Sequence, residues 1–266
     1  MRIGIIGAGN MSEAMMAAWL RNQVVKPDEI MLADVREDRL TDLRQRYGVG
    51  VTTRNHEAVP STDVLMLGVK PQQLAEMLDA LQVAVAPRCL VLSIAAGKRL
   101  EWLEERLPAA RLVRVMPNIA CRTGVAMSAY CAGTRATVAD RSTARMLLEK
   151  FGRAMEVPET LMDAVTAVSG SGPAFFARMI QAMVSSAAAE GLTPDQAQVL
   201  AAQTMQGTAS LLLDGAMSPR ELIDAVSSAR GVTMAGLQVM DRRRFDEIVG
   251  ELLTVSIQRS RELAEG

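Results

Sequence analysis

The chain has 266 residues, 49% of them hydrophobic and 22% charged, with a formal net charge of −1. That length allows one large core or two smaller ones, and the composition is too apolar for a disordered chain. Balanced charge without a basic block excludes a nucleic-acid-binding class, no run of about 18 apolar residues offers a membrane span, and Cys89, Cys121 and Cys131 form neither a disulfide framework nor a metal site.

The first apolar run, residues 2–6, begins at Arg2. It leaves no room for a leader, so a cytoplasmic protein is expected. Residues 2–6, 29–33, 63–67, 90–93 and 111–116 are short, rich in Ile, Val, Leu or Met, and bounded by polar, Gly or Pro residues, which predicts strands. Between them 11–21, 37–47, 72–82 and 100–106 have helical composition. Continuous apolar strands alternating with helices predict a parallel sheet covered on both faces. Residues 125–131 and 154–157 add further strands around a helix at 140–151. From Pro173 onward only helices are expected, at 174–190, after the caps Thr193-Pro194-Asp195-Gln196 and Ser218-Pro219-Arg220-Glu221, at 234–240 and at 244–263. This divides the chain into an α/β domain, 1–160, and an all-helical domain, 161–266. With aromatics at only 3%, the 18 methionines read as core filler.

The turn after the first strand reads Gly4-Ile5-Ile6-Gly7-Ala8-Gly9-Asn10-Met11-Ser12. Gly7 permits a tight turn, Gly9 lets the backbone approach a pyrophosphate, and the new helix offers its amides and positive dipole end to that anion. Ser12 replaces the third glycine of the pattern; a small residue still allows close helix–strand packing. The second strand ends at Asp34, where an acidic side chain bonds the adenosine ribose hydroxyls of NAD. Arg36 and Arg39 follow, and a guanidinium there would instead hold a 2′-phosphate. Both signals are present, so NADPH and NADH both stand.

Elimination narrows the chemistry. The only histidine, His56, lies in a polar stretch and reads as exposed. The only lysines are Lys26, Lys70, Lys98 and Lys150, so the helical domain has no lysine base. Reduction of a C=N bond needs little acid–base help, because an imine is protonated before hydride attack. Such a site requires an oriented nicotinamide, an anion clamp and exclusion of water. Two helix entries suit the clamp: Val168-Ser169-Gly170-Ser171-Gly172-Pro173-Ala174 and Ser227-Ser228-Ala229-Arg230-Gly231-Val232-Thr233. Each also reads as an ordinary capped helix start.

Together these segments resemble the pyrroline-5-carboxylate reductase family across essentially the whole chain. The match is carried by the glycine loop, Val69-Lys70-Pro71, Ser93-Ile94-Ala95-Ala96-Gly97, Met116-Pro117-Asn118, Ser169-Gly170-Ser171-Gly172-Pro173-Ala174, and the stretch from Pro219 to Asp241. The resemblance implies a Rossmann-type doubly wound sheet followed by an all-helical dimerisation domain. It implies NADPH- or NADH-dependent reduction of 1-pyrroline-5-carboxylate to L-proline, by a homodimer or larger homo-oligomer with no nucleic-acid or membrane partner and no metal. The cofactor would meet Gly7, Gly9, Asn10, Met11, Asp34, Arg36, Val69, Lys70, Pro71, Ala95, Ala96 and Asn118. Ser169 and Thr233 are the implied catalytic hydroxyls, Ser169 beside the ring nitrogen. Gly231, Val232 and Thr233 would take the imino acid's carboxylate, with Ser171 and Gly172 also on the substrate side. The chain departs from the family at Arg230, where a glycine is usual, at Ile119-Ala120, where Thr-Pro is usual, and at Ala126. A reductase of a related cyclic imino acid and a non-catalytic dinucleotide sensor are the alternatives.

Overall fold

The computed structural model describes residues 1–81 and 85–265; Gln82, the expected end of the third helix, lies outside them, as does Gly266. Two compact units are present: residues 1–171 together with the end of the last helix from Ser256, and Gly172–Val255.

The first unit opens with β1 (Ile3–Ile6), α1 (Asn10–Arg21), β2 (Ile30–Ala33), α2 (Glu37–Tyr47) and β3 (Gly50–Thr52). It continues through β4 (Val64–Leu67), α3 (Pro71–Leu81), β5 (Leu90–Ser93), α4 (Leu100–Arg106) and β6 (Arg111–Met116). β7 (Ala126–Ala132), α5 (Val138–Glu149) and β8 (Gly152–Glu156) complete the sheet, whose order is β3-β2-β1-β4-β5-β6-β7-β8. β1, β4 and β5 are buried along their whole length, as continuous apolar strands between two helical layers should be. Alternate side chains feed the two cores. Ile3 and Ile5 pack with Trp19 and Phe151 on one face, while Ile6 packs with Leu65, Leu67 and Leu78 on the other. Trp19 Nε1 donates to the Leu147 carbonyl at 2.9 Å and so ties α1 to α5 beneath the sheet.

Two features differ from the sequence expectation. β3 is an added edge strand, only three residues long, pairing parallel with β2. β7 runs antiparallel to β6, because the connection over 117–125 is a short loop with a single 3-10 turn, too short for a parallel crossover. β8 then returns parallel to β7 through α5.

A short helix α6 (Met162–Val165) leads into a π turn at Thr166–Gly170 that sequence reading did not anticipate. The second unit holds α7 (Gly172–Ala189), α8 (Pro194–Leu213), α9 (Pro219–Val226), α10 (Val232–Arg242) and the first part of α11 (Phe245–Glu265). Its expected caps are formed. Thr193 and Gln196 bond each other's amides at 3.0 and 3.2 Å, and Ser218 and Glu221 do the same at 2.7 and 3.3 Å. Met15, Met16 and Met66 are buried in the first unit, where Met146 and Met155 are exposed; in the second, Met179 and Met183 are exposed, as are Phe176, Val199 and Leu200. Among the described residues, no helix is long and apolar enough to cross a membrane.

Candidate active site

The strand order reverses beside β1, where β2 and β4 leave in opposite directions, and a crevice opens at the carboxyl ends of such strands. It has a volume of about 730 Å³ and is lined by Gly7, Gly9, Asn10, Asp34, Val69 and Lys70 among others. Gly7 has φ +97°, and a Cβ there would lie 2.6–2.7 Å from the backbone of Gly68 and Val69. Only glycine fits that turn. Gly9 is different. Its φ is −70°, and a Cβ would meet nothing within 4 Å among the described residues. It is also the N-cap of α1 and supplies no side-chain cap, so the first amides of the helix face the crevice without a side-chain partner. An open cradle beside uncapped amides fits a pyrophosphate.

At the next strand end, Asp34 turns inward. Oδ2 accepts from the Ala8 amide at 2.7 Å, and Oδ1 accepts from the amide and Nε of Arg36, both at 3.0 Å. Burial pushes the Asp34 carboxyl up. The Arg36 side chain, the Ala8 and Arg36 amides and the guanidinium charge outweigh burial and hold it below the usual carboxylate range. Arg39 donates to the Ala8 carbonyl at 3.1 Å and pairs with Glu13 on α1, which also takes Arg46 at 2.7 Å and Tyr47 at 2.9 Å. The glycine loop is therefore held from behind by α2.

Ser12 is 1% exposed, and its hydroxyl occupies the space that a Cβ on Gly68 would need. A serine is tolerated at the third loop position because the strand end opposite it is glycine. Gly68 was missed as a site residue; its signal was a glycine directly following a predicted strand.

The other cofactor candidates sit at neighbouring strand ends. Pro71 opens α3, Ala95 is buried after β5 with Ala96 exposed beside it, and Met11 lies in the first turn of α1, where its sulfur is 3.6 Å from Cys121 Sγ. Asn118 follows β6. Its carbonyl oxygen accepts from the Ala120 amide at 3.3 Å, and its Nδ2 donates to the carbonyl and hydroxyl of Ser169 at 3.3 and 3.4 Å. The π turn that carries Ser169 thus packs on the end of β6, and Ser169 Oγ also donates toward the Met127 carbonyl at 3.5 Å. A widened turn of this kind is a common way to re-aim a functional side chain. His56 is exposed in a 3-10 turn.

Ser171 ends the first unit, and Gly172 opens α7 in the second. Gly231, Val232 and Thr233 are likewise in the second unit. Gly231 is the N-cap of α10, Val232 is 94% exposed, and Thr233 stands in the exposed first turn. Arg230, just before them, has φ +62°, the left-handed region in which glycine is at ease and arginine is strained.

A doubly wound sheet, a glycine turn with an open cradle and an acidic strand end define a dinucleotide-binding protein. The family model described as pyrroline-5-carboxylate reductase dimerisation matches residues 159–263, and one described as NADP oxidoreductase, coenzyme F420-dependent, matches residues 2–97. A pyrroline-5-carboxylate reductase of Methanosarcina acetivorans is 40% identical over 265 residues, covering 99% of this chain and 98% of that one. One from Synechocystis is 37% identical over 264 residues, with 99% and 98% covered. The structure of a pyrroline-5-carboxylate reductase from Coxiella burnetii matches with a TM-score of 0.92 at 28% identity, over 99% of this chain and 98% of that one. The chain belongs to the pyrroline-5-carboxylate reductase family.

Proposed function

We propose that this protein reduces the C=N bond of 1-pyrroline-5-carboxylate to give L-proline, using NADPH or NADH. The observation that carries the proposal is that Asn118 and Ser169 meet at the carboxyl end of β6, on the same sheet as the dinucleotide crevice, in a chain similar over its whole length to proteins named for this reaction. A bound reduced nicotinamide would supply the hydride for the ring carbon of the protonated imine, giving the amine and the oxidised dinucleotide. What the chain contributes is placement. Gly7, Gly9, Asn10 and Met11 hold the pyrophosphate, and Asp34 and Arg36 define the adenosine end. Val69, Lys70, Pro71, Ala95, Ala96 and Asn118 bound the nicotinamide end. Ser169 is the hydrogen-bond partner of the ring nitrogen. The helix entry at Gly231, Val232 and Thr233 holds the substrate carboxylate by amides and a hydroxyl, and Ser171 and Gly172 are assigned to the substrate as well.

Residues 1–160 are the dinucleotide-binding domain in this reading, and residues 161–266 the substrate and dimerisation domain. The assembly is a homodimer or a larger homo-oligomer in the cytoplasm, with a second copy covering the apolar side chains at Phe176, Met179, Met183, Val199 and Leu200. Purified protein mixed with 1-pyrroline-5-carboxylate and NADPH or NADH is expected to oxidise the dinucleotide and form proline in equal amounts. Failure with both cofactors would refute the reading.

A further inference from the structure

The 2′ substituent of the cofactor is the choice left open at the adenosine end, and side-chain valency decides it. An ionised carboxylate offers about four acceptor positions. At Asp34 four donors use them: the Arg36 amide and Nε on Oδ1, the Ala8 amide on Oδ2 at 2.7 Å, and Arg36 Nη2 on Oδ2 at 3.2 Å. The Asp34 side chain is only 9% exposed. Ribose hydroxyls reaching it would have to displace bonds that brace the glycine loop.

The guanidinium beside it is differently placed. Arg36 lines the crevice and is 54% exposed. Its Nε and Nη2 face Asp34 and the Ala8 carbonyl, while Nη1 makes no hydrogen bond among the described residues. Arg39, on the same wall, is committed to the Ala8 carbonyl, Asp42 and Glu13. A guanidinium pinned at Nε and Nη2, with Nη1 making no bond among the described residues, can donate to a phosphate through Nη1.

We propose that Arg36 selects the 2′-phosphate, so that the protein takes NADPH in preference to NADH, with Asp34 as the positioning residue that holds the guanidinium and not as an acceptor for the ribose. The inference rests on the dinucleotide reading of the crevice. It does not depend on the imine.

Calorimetric titration with ADP-ribose and 2′-phospho-ADP-ribose, neither of which carries a nicotinamide, tests it on the full-length protein. The wild type is expected to bind the phosphorylated ligand at least tenfold more tightly. Arg36→Gln brings the two affinities to within about threefold, and Arg36→Lys, which keeps the charge without the fork, falls between. Asp34→Asn lowers the ratio in the wild-type background and leaves it where Arg36→Gln has put it in the double variant. Equal or tighter binding of ADP-ribose by the wild type would overturn the proposal. So would a ratio that survives Arg36→Gln, or an Asp34→Asn variant that weakens ADP-ribose equally in both backgrounds. Binding of neither ligand overturns the dinucleotide reading along with it. The expected ratios without proline formation support the proposal and refute only the imine-reductase reading.

Discussion

Replacing Gly9 by alanine is expected to leave the fold intact and to weaken dinucleotide binding, whereas the same change at Gly7 damages the fold itself. At Gly9 the backbone is already extended, at φ −70° and ψ 173°, and the added methyl meets nothing within 4 Å. Alanine is a poorer N-cap than glycine, at a cost of about 0.5–1 kcal/mol. The stiffer unfolded chain offsets about 0.4–1 kcal/mol. The net change in stability is therefore within about 1 kcal/mol. At Gly7 a methyl must adopt φ +97° and come 2.6 Å from the Gly68 carbonyl carbon. Left-handed strain costs about 1–2 kcal/mol, and overpacking against backbone, which cannot rotate away, about 1–3 kcal/mol. The sum, roughly 2–5 kcal/mol, is a large share of a typical domain's 5–15 kcal/mol. Urea unfolding measures the first quantity, and titration of the cofactor into each variant measures the second. Gly9→Ala should bind at least about tenfold more weakly, equivalent to about 1.4 kcal/mol. A Gly9→Ala protein that loses as much stability as Gly7→Ala, or that binds as well as the wild type, would refute the assignment of that space to the pyrophosphate.

The Ser12 hydroxyl is buried without a hydrogen-bond partner among the described residues, so Ser12→Ala should raise stability by about 1 kcal/mol in urea unfolding; a loss would mean that the hydroxyl has a partner such as bound water. Arg230→Gly relieves a left-handed residue but frees the unfolded chain. Stability should then change by no more than about 1 kcal/mol, while KM for the imino acid rises several-fold if the cation attracts its carboxylate; an unchanged KM would make Arg230 a tolerated substitution. Asp34 and Glu13 are both held below the usual carboxylate range, burial raising them and their arginine and amide or tyrosine partners lowering them further. The unfolded carboxylates titrate near about 4, so the unfolded chain takes up protons first as pH falls. The stability these groups contribute is complete above roughly pH 5 and is lost on descending through their folded values. Urea midpoints measured from pH 7 to 3 should fall less steeply for Asp34→Asn than for the wild type, and parallel curves would remove Asp34 as a source of the acid sensitivity.

How much of this was legible in the sequence follows from the range of the interactions involved. β1, β4 and β5 were readable because burial on both faces leaves a continuous apolar run, and the capped starts of α8 and α9 because a capping box spans only four residues. β3 was missed because three residues carry no period, and the reversal of β7 because strand direction depends on connection length and not on composition. The π turn at Thr166–Gly170 has no residue signature at all, so Ser169 could be named as a site residue without its contact to Asn118 being foreseen. Gly68 and Ser12 fall in the same class, since each explains the other only once β4 lies against α1.

Asp34 is the instructive intermediate case. The rule that an acid at the second strand end accepts the ribose hydroxyls treats the residue as isolated. Three of its four donors are local: the Arg36 amide closes on Oδ1 two residues away, a turn that aspartate commonly makes, and the same arginine's Nε and Nη2 join it. An Asp-x-Arg sequence at a strand end is thus a readable sign that the acid is committed before any ligand arrives. The fourth, the Ala8 amide, comes from 26 residues earlier and requires the folded sheet. Only the local and the distant donors together fill the carboxylate, and Arg36, which braces it through Nε and Nη2, still lines the crevice.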